Sequence, residues 1–295
     1  MLPKIINAAE DREKVAKILE RFYRNYHKNY KNYGSENSEK SSYEPYANFI
    51  EAYVTPKARI LDIGSGSSRL PEYIAKKGYE VFGCDFFPKG NLSEFKLEKV
   101  NTSCRVISGS GYSLPFKSES FDAVVTLNVL EHIVFVDKFL EEMNRILKRD
   151  GVLMISCPNW SGLNAPIRAL ISIIFMKKRY WQYEKIKDAI FGIFRSFIWY
   201  FNILLSNTEP FILIFPRLKS DSIDFIDSDD DCVHLCQPLS FKKWLKNHNY
   251  KILKYNRIYG NNIVSKVFNS LFPSFATTNN IVGKKYTEFK KGLAG

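Results

Sequence analysis

The chain is 295 residues long, 45% hydrophobic, with a formal net charge of +12. Its length accommodates one large α/β domain with an insertion, or two small domains, and its apolar content excludes wholesale disorder. Five cysteines without a secretory context, behind a polar and charged start at Met1, point to reduced thiols and a cytoplasmic setting.

The charge is unevenly placed. Residues 163–220 carry nine basic and three acidic side chains and are also the most apolar part of the chain. Nucleic-acid surfaces are seldom so rich in aliphatic groups, whereas membrane-interfacial ones often are. Nucleic acid is therefore not the favoured partner, and an anionic membrane surface is.

In chain order, residues 8–33 read as a helix rich in Lys, Arg and Tyr, ending near Gly34, and the polar run 35–42 reads as a loop. A second helix over 43–52 leads into alternating strands and helices. Strands are expected near 58–63, 79–83, 104–108, 121–127 and 152–157, and helices near 68–77, 92–99 and 136–148. The runs 124–127 and 152–155 are short and apolar, as in parallel strands covered on both faces. Residues 163–216 break that rhythm with apolar stretches at 163–176 and 189–205, joined by a basic connector containing Trp181 and Tyr183. An aspartate-rich run (221–231) reads as a solvated loop. The C-x-H-x-C from Cys232 to Cys236 matches no usual zinc spacing and reads as a short strand. Residues 238–255 read as a helix capped by Ser240 and then a strand, and 279–286 as the last strand.

The most informative stretch is 59–85, R-I-L-D-I-G-S-G-S-S-R-L-P-E-Y-I-A-K-K-G-Y-E-V-F-G-C-D. An apolar strand, a glycine turn at Gly64 and Gly66, a helix and a second strand ending on Asp85 make a βαβ nucleotide-binding unit. The offset from Gly66 to Asp85 suits an acid that accepts ribose hydroxyls. The third glycine of the dinucleotide fingerprint is missing, with Ser68 and Arg69 in its neighbourhood. Asp62 stands at the turn, where a carboxylate repels phosphate and welcomes an ammonium group. A ligand with a ribose and an amino acid end but no phosphate meets both conditions. S-adenosylmethionine is such a ligand.

L-D-I-G-S-G (61–66) together with Asp85 resembles the first two motifs of class I S-adenosylmethionine-dependent methyltransferases. I-S-G-S-G-Y-S-L-P-F (107–116), S-F-D-A-V-V-T-L-N-V-L-E-H-I (120–133) and I-L-K-R-D-G-V-L-M-I-S-C-P-N (146–159) are similar to later motifs of one branch. That branch holds the ubiquinone- and menaquinone-biosynthesis methyltransferases and many sugar and lipid methyltransferases. The resemblance runs continuously over 46–159 and resumes weakly from 234. It implies an α/β, Rossmann-like, doubly wound, mostly parallel seven-stranded sheet. An N-terminal helical segment (1–52) would precede a cofactor-binding core (53–159), a hydrophobic and basic insertion (160–236) and the rest of the core (237–295).

It also implies site residues. Asp62, Gly64, Gly66, Asp85, Phe86, Ser110, Leu114 and Asn128 would line the cofactor, with Asp62 on the ammonium and Asp85 on the ribose. Relatives usually carry an acid where Ser110 stands, so adenine contact would rely on a neutral hydroxyl and backbone amides. Leu114 reads equally well as adenine packing or as core. Glu131 and His132 follow the fourth strand, where ligands of open α/β sheets bind. His132, as an imidazole of near-neutral pKa, is the candidate base, and a purely structural turn pair is the competing reading. Some relatives use E-x-x-E-H with a later histidine to hold a divalent metal. Here Asn128 replaces the first acid, so Glu131, His132 and His234 form the metal alternative, which is not the favoured one.

The expected activity is O-methylation of a hydrophobic or lipid-linked small molecule, such as a polyprenyl-linked sugar or quinone precursor. Carbon methylation of a quinone ring is the nearest rival. A cofactor-binding scaffold without turnover is the alternative from another class, motivated by neutral Ser110 and Asn128. The insertion reads as a membrane-interface element, a soluble lid or a span. Its first stretch is short of the roughly 20 residues a span needs, and Arg195 interrupts the second. The interface reading places the protein peripherally on the inner face of a membrane. The sequence carries no sign of oligomeric state.

Overall fold

The computed structural model describes residues 4–26, 44–66, 69–86, 104–176, 183–207, 211–218, 229, 231–255 and 278–286. Among these, seven strands form one sheet: β1 (Arg59–Ile63), β2 (Glu80–Asp85), β3 (Cys104–Ser108), β4 (Phe121–Leu127), β5 (Leu147–Pro158), β6 (Tyr250–Tyr255) and β7 (Thr278–Lys285). Their spatial order is β3-β2-β1-β4-β5-β7-β6. Strands β1 to β5 run parallel, and β7 is antiparallel to both β5 and β6. The order reverses between β1 and β4, so the carboxyl ends of β1, β2 and β4 share the edge where ligands of such sheets bind.

Burial on both faces explains the continuous apolar runs. Along β1, Ile60 feeds one core, whereas Leu61 and Ile63 feed the other. Along β5, Val152 and Met154 alternate in the same way with Leu153 and Ile155. In β4 the alternation slips once: Phe121 and Val124 lie on one face and Ala123 and Val125 on the other. The register shift between Phe121 and Ala123 against β5 accounts for this. Helices α1 (Ala9–Tyr26), α4 (Val136–Ile146) and α7 (Pro238–Asn247) bury residues in the first core, and α2 (Glu44–Glu51) and α3 (Arg69–Ala75) in the second.

The expected strands and helices stand close to where the pattern puts them, with instructive differences. The N-terminal helix is described from Ala9 to Tyr26; the rest of 8–33, the loop 35–42 and the helix 92–99 lie outside the described residues. Cys232 to Cys236 is not a strand. It is an extended segment with one isolated bridge, Leu213 to His234. The cap of α7 is Gln237 rather than Ser240: its side chain accepts from the Leu239 amide at 2.6 Å, and Ser240 is buried inside the first turn. Pro238 accounts for the shift, because a residue with no N–H and a preset φ suits the first helical position and so leaves the cap to the residue before it, Gln237.

Between β5 and α7 lie α5 (Asn164–Phe175) and α6 (Ile186–Leu205). They share a third core with Tyr183, Ile212, Ile214, Cys232 and Leu235. Ile214 donates its amide to Val233 O (2.8 Å) and Leu235 to Ile212 O (3.0 Å), so the chain returning from the helices is stitched into this core.

Phe121 is fully buried and meets Phe116 and Phe82 edge-on, with centroids 4.9 and 5.5 Å away. Phe121→Ala is expected to lower unfolding stability by about 3–5 kcal/mol. Phe194→Ala, on the exposed side of α6, should change it by no more than about 0.5 kcal/mol. Urea midpoints of the two variants check the contrast.

Candidate functional site

At the carboxyl end of β1 the chain turns through Gly64 (φ 77°) and Gly66 (φ 50°), left-handed conformations that favour glycine. The Gly64 amide donates to Cys84 O (2.7 Å), which folds the turn onto the end of β2. The Gly66 amide donates to Asp85 Oδ2 and the Phe86 amide to Asp85 Oδ1, both at 2.6 Å. Asp85 therefore braces the glycine turn. A carboxylate offers about four lone-pair sites, so bracing leaves capacity for ligand hydroxyls. Gly64 has a second constraint: a Cβ there would collide with the Val129 side chain. That close approach joins the glycine turn to the turn that follows β4.

Asp62 is 3% exposed, and its Oδ1 has no hydrogen-bond partner among the described residues. Burial, with a smaller contribution from the Asp85 charge, raises its pKa to about 8. An ammonium group brought to that oxygen would return the carboxyl to its charged form. The donor set here, a buried acid with an unmatched oxygen beside a glycine turn and a second acid on the next strand, fits the amino acid end and the ribose of S-adenosylmethionine.

After β4, Asn128 adopts φ 52° and donates its amide to Ser156 O (2.8 Å), and Leu130–His132 forms one 3-10 turn. Glu131 is 2% exposed; its carbonyl accepts from the Val233 and His234 amides (2.8 and 2.9 Å). The half-buried His132 lies 3.2 Å from Asp231 through Nδ1, and 3.8 and 3.9 Å from Asp229 and Glu131 through Nε2. Tyr23 of α1 donates its hydroxyl to Asp231 Oδ2 at 2.7 Å. One imidazole, three carboxylates and a phenol thus converge from three distant parts of the chain.

Their charges decide their protonation. Burial works against a charged His132, but Asp231, Glu131 and Asp229 outweigh it and raise its pKa to about 9. The expectation of a near-neutral imidazole is corrected accordingly: at pH 7 His132 is an imidazolium held by acids. Burial pushes the Glu131 carboxyl well above the usual carboxylate range, and burial with Asp231 raises the Tyr23 phenol.

The remaining expected residues divide. Ser110 accepts the Tyr112 amide through Oγ at 3.3 Å and makes an isolated bridge with Ser113. Leu114 is 5% exposed within the main core, its amide bonded to Glu142 (2.7 Å). Phe86 sits exposed at the end of β2. His234 does not join Glu131 and His132 as a ligand. It is fully buried between the Phe211 and Phe241 rings (centroids 5.5 and 5.7 Å), and its Nδ1 is bonded to Leu130 O (3.0 Å). Burial lowers its pKa to about 4, so it is neutral. The trio whose ligand atoms all lie within 4.8 Å of one another, among the described residues, is His132, Asp229 and Asp231.

Tyr23, Asp229 and Asp231 escape sequence reasoning. The aspartate run looks like a solvated loop until a distant imidazole is brought against it. An acid on either side of residue 230, just ahead of a segment that pairs with the β4 turn, is the signal that could have found them.

Residues 61–155 match the methyltransferase domain family. The ubiquinone biosynthesis O-methyltransferase of Azorhizobium caulinodans is 33% identical over 103 residues, covering 34% of this chain and 40% of that protein. The demethylmenaquinone methyltransferase of Streptomyces avermitilis is 30% identical over 126 residues, covering 41% of this chain and 51% of that one. The match therefore spans 40–51% of the length of these two curated relatives. Over nearly its whole length it superposes on a Burkholderia thailandensis 1,6-didemethyltoxoflavin-N1-methyltransferase, solved with bound S-adenosylhomocysteine. The TM-score is 0.56 at 12% identity, covering 97% of this chain and 94% of that one. The matched region takes in both the glycine turn and the turn after β4, so residues 61–155 carry a methyltransferase domain of the class I, S-adenosylmethionine-dependent kind.

Proposed function

We propose that the chain transfers the methyl group of S-adenosylmethionine to an oxygen of a hydrophobic small molecule, of the quinone-precursor or lipid-linked kind. The observation that carries this reading is the contact between two unlike half-sites. A buried acid with an unmatched oxygen lies beside the glycine turn, and the Gly64–Val129 approach joins that turn to a cluster of proton-handling groups. In this reading Asp62 receives the ammonium group, and Asp85 takes the ribose hydroxyls while bracing the turn.

The cofactor, when bound, supplies an electrophilic methyl group on a sulfonium. The protein's part is to align the acceptor and, for a hydroxyl, to take its proton. In this reading a neighbouring carboxylate, Asp229 or Asp231, takes the proton of the acceptor hydroxyl. The charged His132 donates a hydrogen bond to the oxyanion so formed, and transfer of the methyl group then discharges it. Relatives named for quinone O-methylation favour oxygen as the target. The relative named for demethylmenaquinone supports carbon methylation as the alternative, which needs no such proton acceptor.

His132→Ala should reduce the turnover of an oxygen acceptor by about 10²–10⁴-fold while cofactor affinity stays near wild type. Transfer of labelled methyl from S-adenosylmethionine to a hydroxylated quinone precursor measures the first, and calorimetry the second. A rate unaltered by the substitution supports carbon methylation instead. Cofactor binding without turnover on any quinone or lipid-linked acceptor supports the scaffold alternative.

The acid of the cofactor half predicts a pH dependence. An unliganded Asp62 with a pKa of about 8 is protonated at lower pH, and only its ionised form pairs with an ammonium group. Affinity for S-adenosylmethionine should therefore rise roughly tenfold from pH 6 to 7 and flatten near pH 8, where α-amino groups begin to lose their own proton. Asp62→Asn should abolish that slope and weaken binding at pH 8 by about tenfold or more, the worth of a charge-assisted hydrogen bond. Because the folded protein holds this proton more tightly than the unfolded chain, the Asp62 contribution to unliganded stability falls as pH rises from about 4 to 8. Asp62→Asn should remove that fall, as read from thermal midpoints without cofactor.

The gathered ligand atoms of His132, Asp229 and Asp231 favour a second reading of the acceptor half, in which they hold a divalent cation. Such an ion would supply positive charge beside the acceptor oxygen. Under that reading, chelator treatment lowers an established activity and added magnesium or manganese restores it; an unchanged rate supports the metal-free reading.

A further inference from the structure

Helix α6 is built inside out. Its packed side holds Asp188, Ala189, Gly192, Arg195 and Ser196 along with Trp199 and Ile203. Its outer side presents Ile190, Phe191, Phe194, Phe197, Ile198 and Phe201, each at least 40% exposed. The spacing of three and four residues makes these one continuous stripe. Helix α5 repeats the inversion: Ala165, Pro166, Ala169 and Ser172 face inward, whereas Ile167, Ile171, Ile174 and Phe175 face out, Phe175 being 79% exposed. A soluble lid would bury its bulky groups and show its polar ones.

The inward side is specifically arranged. A Cβ on Gly192 would meet Tyr183 Cε1 at 2.6 Å and Pro166 Cβ at 3.0 Å, so a glycine is what lets the helices come together. Ser196 donates to Gly162 O (3.2 Å), and the buried Arg195 stacks over Trp199 at 4.4 Å and reaches the Tyr183 hydroxyl at 3.4 Å. Arg195 and Ser196 are thus engaged by the protein, and the apolar stripe lies on the opposite, exposed face.

The bordering charges say what covers it. Arg168, Lys185 and Lys187 are exposed beside the stripe. Of the two acids described in this region, Glu184 is paired with Arg217 (3.4 Å) and Asp188 is buried. A symmetric contact with a second copy would bring like charges together, in a chain already at net +12. An anionic lipid surface brings the opposite sign. Spanning is disfavoured by the packed side: crossing would strip Asp188 and Arg195 from the protein into hydrocarbon. Helix α5, at 12 residues, reaches only about 18 Å against the roughly 30 Å of a bilayer core.

We propose that α5 and α6 lie in the plane of an anionic membrane surface, their outer faces sunk into the acyl boundary and Arg168, Lys185 and Lys187 on lipid phosphates. This deepens the lipid-acceptor reading, since an acceptor with an apolar tail could then reach the site from the bilayer.

Flotation of the full chain with vesicles of phosphatidylcholine alone, or mixed with phosphatidylglycerol, tests the docking. The expected result is flotation with the mixed vesicles, weakened by salt and by removal of the anionic lipid. Phe194→Ser with Phe201→Ser should abolish it at an unchanged thermal midpoint, and Lys185→Gln and Lys187→Gln should each weaken binding about fivefold. Protein that stays in solution with both vesicle types overturns the proposal. So does a lipid-independent dimer, seen by light scattering, that the phenylalanine variant dissociates. Methyl transfer to a water-soluble, short-chain acceptor is measured separately. If that proceeds without flotation, only the docking is wrong; flotation without transfer to any acceptor sinks the acceptor reading and leaves the docking.

Discussion

Removing a carboxylate from water without a countercharge costs several kcal/mol, and Asp62 is placed so that its own fold does not repay that cost. It occupies an interior strand, flanked by β2 and β4, with apolar neighbours before and after it in β1. Nothing described supplies a cation to its unmatched oxygen. The surrounding structure has to hold an unfavourable group in place, and it does so by making that end of β1 rigid. Parallel neighbours on both sides, the amide of Gly64 on Cys84 and the carboxylate of Asp85 across the turn all confine it. In the proposed reading the missing charge comes from the ammonium group of the cofactor, which would link recognition of that group to the architecture of the sheet.

The same turn governs the other half of the site. Because Gly64 has no side chain, Val129 can close on it, and the position of the 128–132 turn follows from that approach. The carbonyl of Glu131 then anchors the chain returning from the helical insertion, through the amides of Val233 and His234. His234, buried among aromatic rings and bonded to Leu130, fixes the arrangement from behind.

What could be read in the sequence follows from how local each feature is. The cofactor half lies within one βαβ unit, where the glycines, Asp62 and Asp85 are tied by short-range geometry, so their spacing is informative. The strands of the parallel sheet announce themselves by apolar runs, because both faces are covered. The His132 cluster is assembled from Tyr23, Glu131, Asp229 and Asp231, and no local pattern connects a tyrosine to an aspartate 208 positions away. Leu114 was ambiguous because an apolar side chain before a proline serves a core or a ligand equally well. The protonation of His132 was misjudged for a related reason: a pKa is set by neighbours in space, and three acids converge there that the chain keeps apart.

The helical insertion shows how hydrophobicity and burial can separate. Composition alone marks 163–205 as apolar, and the natural inference is a buried hairpin. The structure assigns burial to the small and polar residues instead, because Gly192, Ala169 and Pro166 allow close helix approach where phenylalanine would not fit. Those small groups pack into the same core as Ile212, Ile214 and Leu235, whose strand-like pairing carries the chain on to Glu131. The apolar outer face and the proton-handling cluster are therefore built on one continuous wall. An acceptor that is polar at its reacting end and greasy along its length meets complementary chemistry at both, whereas a small hydrophilic acceptor would leave the outer face of α5 and α6 without a purpose.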